Sequence, residues 1–101
     1  MPPAQNSGKN GASMKARVGA LDLLGGWSAA GAGKPRKRSL TIAGHRTAVS
    51  LEEPFWEALR FAAETMEVPI ARLVAEIDAV RGQTSLSSAI RLFVLHDRSR
   101  R

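Results

Sequence analysis

The sequence predicts a mainly α-helical domain with a short N-terminal β-ribbon, folded as an intertwined dimer. Three observations lead there. After Ser39 the apolar residues first recur with the period of a strand and then with that of a helix. Proline and glycine divide the helical part into three. A folded part of roughly 60 residues, with no disulfide or metal to staple it, seldom sustains itself on one core, yet this one is loaded with large apolar side chains.

Leu40 and Ile42, then Thr47, Val49 and Leu51, alternate with smaller or polar residues, the pattern of half-buried extended chain. Gly44 separates the two runs, so the chain makes either a tight hairpin or a bend there. Glu52-Glu53-Pro54 opens a helix: proline suits its first turn, and the acids complement its positive end. Phe55, Leu59, Ala62 and Met66 follow at helical spacing, with Trp56 expected in the core beside them. Val68-Pro69 breaks this helix. A second begins at Pro69 with Ile70, Leu73, Val74 and Ile77 on one face and stops at Gly82. Thr84 or Ser85 caps a third, in which Leu86, Ala89, Ile90, Phe93 and Val94 line one side and Leu92 and Leu95 the other, implying burial on two sides. A short strand with unpaired edges cannot stand alone. Two copies that pair their strands and share a helical core solve both problems; the sequence leaves a higher oligomer open.

Charge divides the chain as well. Residues 1–38 hold seven Lys or Arg against one acid, a net +6, whereas residues 39–101 hold eight Arg against eight acids, a net zero. The first segment, rich in Gly, Ala, Ser, Pro and Lys, reads as a disordered basic tail, and the second as the dimerisation domain. A basic tail suits a polyanionic partner such as double-stranded DNA. Within it, the apolar patch Val18–Trp27 is a candidate docking segment for a protein partner.

Several chemistries are excluded. No cysteine is present and only two histidines are, so neither a metal site nor a cofactor is expected. Ser87, Ser88, His96 and Asp97 do not assemble into a nucleophile, base and orienter, and no enzyme is expected. His45 beside Gly44 is expected to serve the turn. Gly31-Ala32-Gly33-Lys34 imitates a phosphate loop, but Ser28 stands at its first glycine and Pro35 at its Ser/Thr. Met14-Lys15-Ala16-Arg17 imitates the start of a secretion signal, but Asp22 interrupts the apolar stretch that follows. No apolar run has the roughly 20 residues that cross a bilayer, and a cytoplasmic, nucleoid-associated location is expected.

Strand, helix, tight turn and helix in this order, with Arg46-Thr47-Ala48-Val49-Ser50-Leu51-Glu52 leading into Phe55-Trp56-Glu57-Ala58-Leu59, resemble the ribbon-helix-helix DNA-binding fold. More narrowly, Arg38–Ile42, Gly44–Thr47, Phe55-Trp56, Ile77-Asp78 and Leu86–Leu95 resemble a bacterial subfamily of ribbon-helix-helix proteins, with an additional C-terminal helix. The resemblance implies a sequence-specific DNA-binding dimer, a transcriptional regulator whose ribbon enters the major groove. If Val49 and Leu51 face the core, parity turns Arg46, Ala48 and Ser50 outward as base readers. The amides near Ala71 and Arg72 are the expected phosphate contacts at the second helix, and Lys34, Arg36, Lys37 and Arg38 form an arm placed to follow the phosphate backbone. The rival reading is a protein-interaction scaffold or an antitoxin-like module whose tail binds a protein.

Overall fold

The computed structural model describes residues 23–101. The chain divides into two units between Gly31 and Ala32, and the second, Ala32–Arg101, carries the fold. Its elements are β1 (Arg36–Ile42), β2 (His45–Leu51), α1 (Glu53–Met66), α2 (Ile70–Val80) and α3 (Leu86–Ser99). An antiparallel hairpin is thus followed by three helices, a ribbon-helix-helix arrangement with one helix added at the C-terminal end.

The hairpin closes within a single chain. Ala43 and Gly44 have φ of 51° and 83°, so two consecutive left-handed residues form a two-residue turn of type I′. Its twist matches that of the flanking strands and sets the register from Ile42 opposite His45 to Arg36 opposite Leu51. Of the two alternatives at Gly44 the tight hairpin forms, and strand pairing does not wait for a second copy. The first strand also begins at Arg36. Arg36, Lys37 and Arg38, basic residues that composition groups with the tail, are strand residues.

Strand parity decides what the hairpin buries. Ile42, Val49 and Leu51 point into the core, with Leu40 packed beside them. Beneath them α1 contributes Trp56, Leu59, Ala62 and Ala63, α2 contributes Leu73, Val74 and Ile77, and α3 contributes Ala89, Ile90 and Val94. Leu51, Leu59, Val74 and Ile90 are completely enclosed, each a burial of about 1.5–3 kcal/mol. Trp56, a core residue as expected, is enclosed too, and its indole N–H donates to the Arg36 carbonyl at 3.0 Å, which ties β1 to α1. Met66 departs from expectation: it shares the stripe of Leu59, Ala62 and Ala63 but, at the last position of α1, it is exposed. Phe93 and Phe55 are only partly buried against the core.

The helix ends follow their local chemistry. Glu67 adopts φ 59° after α1, and the amides of Glu67 and Val68 donate back to Glu64 and Ala63, satisfying carbonyls the helix leaves free. Gly82 at φ 61° follows α2. Arg81 braces that turn through Asp78 at 2.7 Å and the Thr84 carbonyl at 2.8 Å. Ser85, not Thr84, caps α3 by accepting the Ser88 amide at 3.2 Å. At the entry to α1, Arg91 of α3 grips the Glu52 carboxylate with two nitrogens at 3.0 and 3.1 Å. No helix among the described residues is long and apolar enough to cross a membrane.

Candidate nucleic-acid interface

A two-stranded sheet with one face on the core must present the other face outward. On β2 that face carries Arg46, Ala48 and Ser50, as parity predicts; Arg46 and Ala48 are exposed and Ser50 half-buried. The register places Thr41 opposite Arg46, Ser39 opposite Ala48 and Lys37 opposite Ser50, and all three are exposed. Six residues thus form one outward surface that is small, hydroxylated and basic, without an acid or a large apolar side chain. Sequence reasoning finds its β2 half; the β1 half appears only once the hairpin register is known.

The basic residues ahead of the ribbon are not equivalent. Arg36 and Arg38 lie on the inward parity of β1, opposite Leu51 and Val49. Both approach the Glu53 carboxylate, at 3.4 and 3.7 Å, and the Arg38 guanidinium rests 5.1 Å from the Trp56 ring centroid. These two arginines lie beside the entry of α1. Lys37 points the other way, onto the outward face, and Lys34 is exposed ahead of β1. The expected four-residue arm therefore splits into a helix-bracing pair, one ribbon-face residue and one residue before the strand.

At the start of α2 the arrangement is leaner than expected. The Arg72 amide donates to the Pro69 carbonyl at 3.0 Å, and the Arg72 side chain pairs with Glu76 at 3.1 Å. Ala71, one residue nearer the helix end, precedes the first intrahelical bond and keeps the better-placed amide. His45 is exposed where β2 leaves the turn, paired with Ile42. Of the Val18–Trp27 patch, Leu23, Leu24 and Trp27 are exposed, while Val18 and Leu21 lie outside the described residues, as does most of the expected disordered tail.

Electrostatics favours an anion at the ribbon more than the division at residue 38 suggests. The folded unit Ala32–Arg101 includes Lys34, Arg36, Lys37 and Arg38, which raises its net charge from zero to +4. Among the described residues no cluster of His, Cys, Asp or Glu could hold a metal ion.

A family model described as the ribbon-helix-helix domain matches residues 35–97, from just ahead of β1 to the last turns of α3. The chain belongs to the ribbon-helix-helix family. The matched span takes in both strands and all three helices, so the hairpin and the third helix are part of the domain. Ribbon-helix-helix domains are in general dimeric, DNA-binding transcriptional regulators, typically without enzymatic activity. Neither curated proteins nor solved structures yielded a match.

Proposed function

We propose that this ribbon-helix-helix protein is a homodimeric, sequence-specific DNA-binding regulator that reads the major groove with the outward face of β2. The observation that carries the reading is the exposure of Arg46, Ala48 and Ser50 on one face of a strand that runs directly into α1. Arg46 offers a bidentate pair to guanine O6 and N7, Ser50 a donor and acceptor, and Ala48 contact with a thymine methyl. A groove about 12 Å wide admits a two-stranded ribbon. Lys34 and the amide of Ala71 supply phosphate contacts that fix the register on the duplex. The site of action is the nucleoid of the cytoplasm.

The dimer is supported by what a single copy leaves uncovered. Phe61, Val80, Leu92 and Leu95 are 53%, 82%, 59% and 66% exposed on the helices. Ile77, Val80, Ala89, Leu92 and Phe93 line a groove of about 310 Å³ between α2 and α3. The edge of β2 adds a pairing surface. The Ser50 carbonyl accepts from Ser87 Oγ at 3.0 Å and so points away from β1; antiparallel alternation directs the backbone groups of Ala48 and Arg46 the same way. A second β2 at this edge completes a ribbon around a two-fold axis, and shared helices cover the apolar face.

The scaffold or antitoxin-like reading draws on the exposed Leu23, Leu24 and Trp27. It predicts a protein that loses a protein partner, and not DNA, when residues 1–31 are removed. Selection of bound fragments from a random genomic pool at graded salt, followed by sequencing, tests the regulator: it enriches one motif with two-fold symmetry. Uniform recovery of all fragments, or none, overturns it.

A further inference from the structure

We infer that β1 is a phosphate rail: Lys37, Ser39 and Thr41 grip the backbone walls of the groove that the two β2 strands read. This rests on the DNA-reading assignment of β2 and adds a second site to it. A ribbon of two strands, one from each copy, has nothing beside it; this chain brings its own second strand. Pairing through β2 then yields a four-stranded sheet in the order β1, β2, partner β2, partner β1.

Strand spacing decides what each strand reaches. Neighbouring strands lie about 4.8 Å apart. The two β2 strands fit together inside a major groove about 12 Å wide, whereas the two β1 strands, three spacings apart at about 14 Å, overhang its walls. The residues that β1 presents there are those a phosphate wall takes. Lys37 brings a charge, and Ser39 and Thr41 bring hydroxyl donors. All three share the outward face with the β2 readers, opposite Ser50, Ala48 and Arg46. Arg36 and Arg38 do not compete for that role, since Glu53 and Trp56 hold them on the other side.

The assignment of β2 to the centre rests on the two edges. The β1 edge runs through Arg36-Lys37-Arg38, and a basic edge resists pairing with another strand. The centre of β2, Thr47-Ala48-Val49, is uncharged, and β-branched residues flank its alanine. With β1 central instead, Lys37 would read bases and Arg46 would meet phosphates, so the two orders exchange the behaviour of the same residues.

The test compares full-length wild type with Lys37→Ala, with Lys37→Arg and with the double variant Ser39→Ala/Thr41→Ala. Each is bound to the selected fragment and to its single-base variants over a range of salt. Each phosphate contact contributes a slope of about −0.9 in log K against log salt, so losing Lys37 from both copies flattens the slope by about 1.8. Lys37→Ala is expected to show that flattening with the order of base preferences unchanged, and Lys37→Arg to restore the slope. The double variant is expected to weaken all fragments by the same factor. An altered base preference in Lys37→Ala, or a slope equal to that of wild type, overturns the rail while wild-type selectivity leaves the DNA-reading assignment standing. A wild type with no base preference overturns both.

Discussion

Trp56 of α1 donates its indole N–H to the backbone carbonyl of Arg36 at 3.0 Å, closing a link between the first residue of β1 and the first turn of the helix that follows the hairpin. Trp56→Phe keeps most of the apolar volume but removes that hydrogen bond, a loss of about 0.5–1.5 kcal/mol. Urea unfolding monitored by circular dichroism measures it. A loss near zero would mean that this bond adds nothing to the hold of α1 on β1.

Among the described residues, two without glycine's freedom occupy left-handed conformations, Ala43 at φ 51° and Glu67 at φ 59°. That backbone costs an ordinary residue roughly 1–2 kcal/mol, and Gly and Asn much less. Glu67 also sets a negative charge at the negative end of α1. Glu67→Gly and Ala43→Asn should therefore each raise stability, by about 0.5–1 kcal/mol after the greater freedom of the unfolded chain is subtracted. Thermal unfolding of the two variants reads the sign directly; a lowered midpoint in both would contradict the turn and cap geometry.

The Glu52 carboxyl is held below the ordinary glutamate value of 4.5 by its own backbone amide and then by the Arg91 guanidinium, with partial burial opposing them. A lowered folded-state value means that the contribution is fully present above the unfolded value and is lost as pH falls through the folded one. Glu52→Gln should then be less stable than wild type at pH 7, with the difference shrinking below about pH 4.5. Denaturant unfolding at pH 7 and pH 3 checks this. A difference independent of pH would remove the ion pair from the account.

In the proposed dimer a second copy covers Leu92 and Leu95 on α3 and Val80 on α2, which one copy leaves exposed. Sedimentation at micromolar concentration should show a dimer, and Leu92→Lys should shift it toward monomer with loss of helix content. A folded wild-type monomer independent of concentration would contradict the shared core.

Legibility in the sequence followed the strength of the local signal. The outward face of β2 is readable because Val49 and Leu51, spaced by two, run directly into a helix start marked by Glu53 and Pro54. The three helices are readable because Pro69, Gly82 and Ser85 punctuate them. The first strand is not: Arg36-Lys37-Arg38 has the composition of a solvated tail, and its strand identity comes from register opposite Leu51 and from Glu53 and the Trp56 ring, which only the fold brings near. The hairpin stays ambiguous in sequence because Ala43, a residue that seldom takes positive φ, fills half of its turn. The Arg72 amide looks free as a phosphate donor until the Pro69 carbonyl, three residues back, is seen to accept from it.

The most direct measurement is the affinity of wild type and Arg46→Ala for the selected fragment and for fragments altered one base pair at a time. Arg46 stands exposed on the outward face of β2. Its removal should weaken binding to the selected fragment by about 1–3 kcal/mol for each guanine contact and abolish the preference at that position in both half-sites. Equal weakening on every fragment, with the preference retained, would make Arg46 a phosphate contact and contradict the claim that β2 reads the bases.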